Sequence, residues 1–237
     1  MKNLFIYIPT YNRPEAIRTQ LCALAPQVAK NQSRVRVLVN DNASSNYSFD
    51  EVINDFSIYK NIKFQKNGGN IGGNANISLG FVFSQPDEFL WILSDNDIVT
   101  ESALDYLLPL LEDKVDFFCF LDSDQEPVEI DYSWSNGWQT PMDWRMGLIS
   151  DALYNTNTIK DSIDQAFYFH NSSFPHLAVG CAAAKERGIV KFKLLPRSKI
   201  NNEPYHSDEY PTDYSIAYVG MPLLVELFPP AEAKSFS

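Results

Sequence analysis

Long apolar runs are absent from this chain. None of its 237 residues falls in a stretch approaching the ~18 apolar positions that a membrane-spanning helix requires. The opening Met1 to Ile8 is apolar too briefly for a secretory signal and is cut short by Pro9. Both features point to a soluble, cytoplasmic protein. Cysteine is scarce: Cys22, Cys119 and Cys181 lie far apart, without the spacing of a metal site. An odd number of isolated thiols fits a reducing compartment, and each reads as a small core residue. Basic residues are in deficit, 19 Lys and Arg against 30 Asp and Glu, for a formal net charge of −11. That excludes the basic face a nucleic-acid binder needs, though not a small phosphorylated ligand held through a metal ion. Internal repeats, low-complexity tracts and linkers are also missing. What remains is 45% hydrophobic and 14% aromatic residues, enough for one domain with a substantial core.

The apolar periodicity predicts an alternation of strands and helices. Strands are expected at Leu4–Ile8, Arg34–Val39, Ile62–Gln65, Glu88 to about Ser94, and Val115–Leu121. Helices are expected from Pro14, a residue suited to a first helical turn, to about Ala29, at Val52–Ile58, Ala75–Ser84 and Glu101–Glu112, with Thr100 as N-cap of the last. This βαβαβαβα order predicts an α/β fold with a mostly parallel central sheet flanked by helices. Further on, Gly147–Tyr154 reads as a strand, Thr158–Phe169 as a helix, and Pro175 as the start of another helix running to about Ala184. Ile189–Leu195 reads as a strand, Pro196–Pro211 as a loop, and Tyr214–Val219 as a last strand.

Polar residues collect where these strands end. Pro9-Thr-Tyr-Asn-Arg-Pro14 follows the first strand and Asn40-Asp-Asn-Ala-Ser-Ser45 the second. Asn67-Gly-Gly-Asn-Ile-Gly-Gly-Asn74 follows the third, and its glycines let backbone approach a ligand or take positive φ. Asp95 and Asp97 follow the fourth. In a parallel sheet all four lie on one rim, where open α/β sheets bind ligands. Two adjacent carboxylates repel unless a cation lies between them, so a hard divalent ion with a diphosphate is one reading. An Asx-stabilised turn is the other. Asp122 and Asp124 form a rival pair, with solvated surface as their alternative. Tyr132, Trp134, Trp138 and Trp144 crowd one stretch, which suits either sugar faces or packing of a long loop. His176 falls in a first helical turn, where the dipole favours the neutral imidazole a general base needs; a structural histidine is the competing assignment.

Ile8-Pro-Thr-Tyr-Asn-Arg-Pro14, Asn40-Asp-Asn-Ala-Ser44, Asn70-Ile-Gly-Gly-Asn74 and Ser94-Asp-Asn-Asp97, in that order, resemble the landmarks of family 2 glycosyltransferases of the GT-A fold. Gly147-Leu-Ile-Ser-Asp-Ala-Leu-Tyr154 and Phe174-Pro-His-Leu177 are similar to the abequosyltransferase-type branch of bacterial polysaccharide biosynthesis. The resemblance implies a single GT-A domain: residues 1–125 as its nucleotide-sugar-binding half and 126–237 as its acceptor-binding half. Pro9, Thr10, Tyr11 and Arg13 would line the nucleotide pocket. Asp41 would accept from the base, with UDP- or dTDP-sugars favoured. Asn70, Gly72 and Gly73 would lie against the nucleotide-sugar. Asp95 and Asp97 would form a DxD pair, Asp95 facing ribose or sugar and Asp97 binding Mn²⁺ or Mg²⁺ on the diphosphate.

The implied reaction is an inverting, metal-dependent transfer to a glycan or lipid-linked glycan, with peripheral association at the inner membrane face. It needs one general base. Where many relatives carry a Glu-Asp pair this chain has Pro175-His176, so His176 is the first candidate, Asp151 the second and Asp208-Glu209 the third. Two other functions fit parts of the pattern. A nucleotidyltransferase shares the sheet, but those usually carry glycine after the first strand, which is missing here. A non-catalytic glycan- or nucleotide-binding module would explain the lost Glu-Asp pair. The chain is also short for the family, as expected of a compact enzyme or of a truncated one.

Overall fold

The computed structural model describes residues 1–121, 125–134, 146, 148–172 and 174–204. The Asp122/Asp124 pair, Trp138, Trp144, Gly147, the Asp208-Glu209 pair and the segments expected beyond Pro204 lie outside the described residues.

Among the described residues one eight-stranded mixed sheet forms the middle layer, in the order β3-β2-β1-β4-β8-β6-β9-β7. Its first part is parallel: β3 (Ile62–Lys66), β2 (Val35–Asp41), β1 (Asn3–Thr10) and β4 (Glu88–Ile92). β8 (Ala152–Asn155) enters antiparallel between β4 and β6 (Phe117–Leu121). β9 (Ile189–Pro196) is parallel to β6, and β7 (Val128–Ser133) closes the far edge antiparallel to β9. Because β8 comes from the second half of the chain and its neighbours from the first, both halves share one sheet.

The strand sequences explain why both faces are covered. Leu4, Ile6 and Ile8 of β1, with Phe89, Trp91 and Leu93 of the β4 segment, face one core. Phe5, Tyr7, Leu90 and Ile92 face the other. This two-residue alternation, apolar on both faces, is what a central strand requires. α1 (Pro14–Lys30), α2 (Phe49–Phe56) and α4 (Ala103–Leu110) cover the first face. α3 (Gly73–Phe83), α5 (Thr156–Ile159), α6 (Gln165–Tyr168) and α7 (Pro175–Arg187) belong to the second. α3 closes tightly on β1 because Gly80 has no side chain; a Cβ there would stand 2.7 Å from Tyr7 Cδ1.

Several elements depart from the sequence expectation. The expected helix Thr158–Phe169 is two short helices, α5 and α6. The expected strand over Gly147–Tyr154 begins with a 3-10 turn at Ile149–Asp151, and only then becomes β8. Thr100 does not cap α4; Ser102 holds that position, and the Thr100 hydroxyl donates to Lys199 O at 2.9 Å. β5 (Asp97–Val99) and β10 (Asn201–Pro204) form a separate two-stranded sheet within regions read as loop. Each is too short to announce itself locally, and each exists because the other pairs with it. Cys22 is exposed, whereas Cys119 and Cys181 are buried. Among the described residues no helix is long and apolar enough to cross a membrane.

Candidate functional site

The ends of β1, β2 and β4 meet the start of α3 at one rim. There they open a cleft of ≈ 270 Å³, with Pro9, Thr10, Tyr11, Arg13, Asn42, Gly73, Asn76, Ile77, Ser94, Asp95 and Ile149 on its walls. The convergence follows from strand order. β1 lies between β2 and β4, all three run the same way, and Thr10 is in register with Asp41.

Asp95 forms the floor. The residue is 2% exposed. Thr10 Oγ1 donates to Oδ2 at 2.7 Å, and Arg13 Nη1 donates to Oδ1 at 2.8 Å. Burial pushes the Asp95 carboxyl above its ordinary range, the Arg13 charge and the two hydrogen bonds pull it back, and neighbouring Asp97 adds to the rise. Asp97 is half-buried at the start of β5, and its backbone N–H closes a turn on Ser94 O at 3.3 Å. Among the described residues no side chain is bonded to the Asp97 carboxylate, and none forms a cluster of three or more His, Cys, Asp or Glu able to hold an ion.

The asparagines organise the upper wall. Asn42 Oδ1 accepts from Ile71 N at 3.0 Å and from Asn67 Nδ2 at 3.1 Å, while Asn42 Nδ2 donates to Asn70 Oδ1 at 2.9 Å. Asn70 Oδ1 also accepts from Gly72 N at 2.8 Å. Asn76 Oδ1 accepts from Asn40 Nδ2 at 2.6 Å and Asn67 Nδ2 at 3.0 Å, and Tyr7 donates to Asn76 O at 2.7 Å. These bonds pin the glycine-rich loop to the end of β2. Gly72, at φ +89°, has the left-handed backbone that only glycine adopts freely before α3. A Cβ at Gly73 would meet no protein atom within 4 Å, so packing does not demand glycine there.

Other residues expected at the site are placed differently. Asp41 is 0% exposed and off the cleft wall. Its oxygens accept from Ser44 N at 3.0 Å and from the Ser44 hydroxyl, with Lys66 Nζ 3.7 Å away. The acidic side chain therefore organises its own loop. Asp151 is 3% exposed and ion-paired with Arg197, Nε to Oδ1 3.2 Å. His176 is 1% exposed in the first turn of α7, its ring 6.3 Å from that of Phe174. Asn42, Asn76, Ile77, Ser94 and Ile149 line the cleft without having been anticipated. For Asn76 a signal existed: with Asn74 it is one of two amides at the start of an otherwise small and apolar helix. Ile149 gave none, since it comes from the far half of the chain.

Comparison with known proteins bears on this rim. No curated protein matches the chain significantly in sequence. Among solved structures, S. aureus TarS 1-349 in complex with UDP superposes with a TM-score of 0.68 at 14% identity, over 99% of this chain and 69% of that one. The mannosyltransferase PcManGT from Pyrobaculum calidifontis, in complex with GDP-Man and Mn²⁺, gives 0.66 at 12% identity, over 98% and 69%. At such identities the likeness speaks to fold alone. The family model described as glycosyl transferase family 2 matches residues 5–169, well over half of the 237 and all of the cleft-forming segments. The chain belongs to glycosyl transferase family 2, and on that ground it is a glycosyltransferase.

Proposed function

We propose that this enzyme is an inverting, divalent-cation-dependent transferase that moves a sugar from a nucleoside-diphosphate donor to a glycan or lipid-linked glycan. The observation that carries the reading is the Thr10–Asp95–Arg13 array on the floor of a cleft whose wall is the first turn of α3. A helix N-terminus presents unpaired N–H groups and a partial positive charge, which favour phosphate oxygens. The open space beside Gly73 leaves room for a ligand where the protein itself needs none. TarS and PcManGT were solved with UDP and with GDP-Man and Mn²⁺, which supports a nucleotide-sugar donor and a divalent ion for this chain too.

The residues present fit such an ion. Both Asp95 oxygens are engaged by Thr10 and Arg13, whereas the half-buried Asp97 carboxylate keeps its lone pairs. Asp97 would thus hold the ion, with Asp95 its buried neighbour, since Mg²⁺ or Mn²⁺ beside a nucleotide usually takes only one or two protein carboxylates. An ion held there would supply positive charge to offset that of the departing nucleoside diphosphate.

The chain's own residues do the rest. Tyr11 and Pro9 form the wall for the base, Asp41 fixes the loop that carries Asn42, and Asn70 and Gly72 shape the turn against which the donor lies. Residues 1–125 are thereby the donor half and 126–237 the acceptor half. In this reading His176 takes the acceptor proton: Asp151 is committed to Arg197, and the third candidate, Asp208-Glu209, lies outside the described residues. The acceptor belongs to bacterial surface polysaccharide, assembled at the inner membrane face. Calorimetric titration of UDP, dTDP and GDP, with and without Mn²⁺, tests the donor reading. Metal-enhanced binding of one of them is expected; none with any of the three would refute it.

A further inference from the structure

Two backbone attachments bracket the loop from Ser94 to Asp97, and they come from segments distant in sequence. On one side the Ser150 hydroxyl accepts from Ser94 N at 2.9 Å, while Ser150 O accepts from Trp91 Nε1 at 2.8 Å. Ser150 belongs to the turn Ile149–Asp151, whose first residue is cleft wall. On the other side β5, which begins at Asp97, pairs with β10. Thr100 N donates to Ile200 O and Thr100 Oγ1 to Lys199 O, both at 2.9 Å. The two attachments are tied to each other: Asp151, next to Ser150, is ion-paired with Arg197, at the head of the segment that supplies Lys199 and Ile200.

From this closed circuit we infer that Asp151 and Arg197 are positioning residues, a cross-brace that fixes the Ser94–Asp97 loop and so the place of the Asp97 carboxylate. The physics is that of a ligand's outer shell. A carboxylate on a turn binds an ion well only if its backbone is held, and here both flanks are held by elements that the pair locks together. Because the Asp151 side chain is only 4% exposed, removing Arg197 takes a counter-charge from a buried carboxylate and loosens the link between the two attachments. The α1 side supplies an independent anchor, Gln20 Oε1 accepting from Val99 N at 3.1 Å, so β5 does not dissolve when the brace is cut. The role toward the ion rests on the function proposed above; the brace itself does not.

The test uses the whole protein and reads the brace without any ligand. Amide hydrogen exchange is measured by NMR for the wild type, Asp151→Asn, Arg197→Gln, their double variant, and Arg197→Lys. The Ser94 and Thr100 amides should exchange about tenfold faster or more in each of the first two variants. The double variant should be no faster than the faster single one, Arg197→Lys should lie between, and the Asn42 amide, bonded to Thr10 O at 2.9 Å, should not change. Unchanged Ser94 and Thr100, or equal acceleration at Asn42, overturns the brace. In parallel, Mn²⁺-dependent enhancement of UDP binding should fall by about 10–100-fold while metal-free UDP binding is kept. Faster exchange with an unaltered Mn²⁺ effect overturns the role toward Asp97. Lost turnover with intact exchange and intact Mn²⁺ effect makes Asp151 a base instead. A wild type that binds no nucleoside diphosphate at all counts against the proposed function, and the exchange data still decide the brace.

Discussion

Thr10 donates its hydroxyl to Asp95 at 2.7 Å across 85 positions of sequence, and with Arg13 it holds a buried carboxylate. The sheet makes this meeting possible. β1 and β4 are adjacent and parallel, so the residues that leave their carboxyl ends emerge side by side. Cutting either contact should therefore be felt in stability as well as in binding. Thr10→Val should cost about 1–3 kcal/mol, the range for leaving a buried charged acceptor short of a partner. Arg13→Gln should cost about 2 kcal/mol, below the usual value for a broken buried pair because the Arg13 side chain is 26% exposed. Urea unfolding of the metal-free protein checks both, and changes under about 0.5 kcal/mol would contradict the assignment.

The same burial gives a pH dependence. Burial raises the Asp95 carboxyl above its ordinary value of 3.8, outweighing Arg13 and Thr10. A carboxyl raised in the folded state contributes stability that is fully present below the unfolded pKa and lost as pH climbs through the folded one. Asp95→Asn has no such term. In chelator-treated protein, the stability of the wild type relative to Asp95→Asn should fall as pH rises from about 4, the unfolded value, through the raised folded one. A difference that is flat or rises over that window would show that Arg13 prevails over desolvation.

Two glycines should respond in opposite ways. Gly80→Ala places a Cβ against Tyr7, at 2.7 Å from Cδ1 and 3.0 Å from Cγ. Overpacking of about 1–3 kcal/mol exceeds the ~1 kcal/mol that alanine gains in a helix, so unfolding should come earlier. Gly73→Ala meets nothing within 4 Å and should leave the unfolding midpoint nearly unchanged. It should nonetheless weaken UDP binding, because the added methyl stands in the cleft that Gly73 lines. Equal UDP affinity in Gly73→Ala and wild type would place the donor elsewhere.

Asp97→Asn should remove roughly 2 kcal/mol or more of metal-dependent UDP binding, as for a lost charged ligand, and leave the metal-free component intact. Calorimetry in matched buffers with Mn²⁺ or chelator separates the two. His176→Gln should lower sugar transfer without weakening UDP binding. Full turnover in that variant would move the base to another residue.

Local pattern carried the strand–helix alternation of the first 121 residues because each central strand is apolar on both faces and each connection ends in glycine, proline or short polar residues. The rim residues Thr10, Arg13 and Asp95 were readable for the same reason: they directly follow strands. Asp41 was readable in place but not in aim, since whether a carboxylate faces a cleft or its own Ser44 depends on loop geometry. Family membership set aside the nucleotidyltransferase and the non-catalytic module, which composition and spacing had left open.

The sequence by itself determined which residues form buried strands and which polar clusters follow them, because side-chain period and turn chemistry act over a few residues. Only the tertiary structure decided that β8 enters between β4 and β6, that Ile149 walls a cleft built from the other half of the chain, and that Asp97 lies on a strand completed by residues 201–204. Those facts depend on pairings across some thirty to just over a hundred positions, where the favourable contact is between two segments and neither one records it alone.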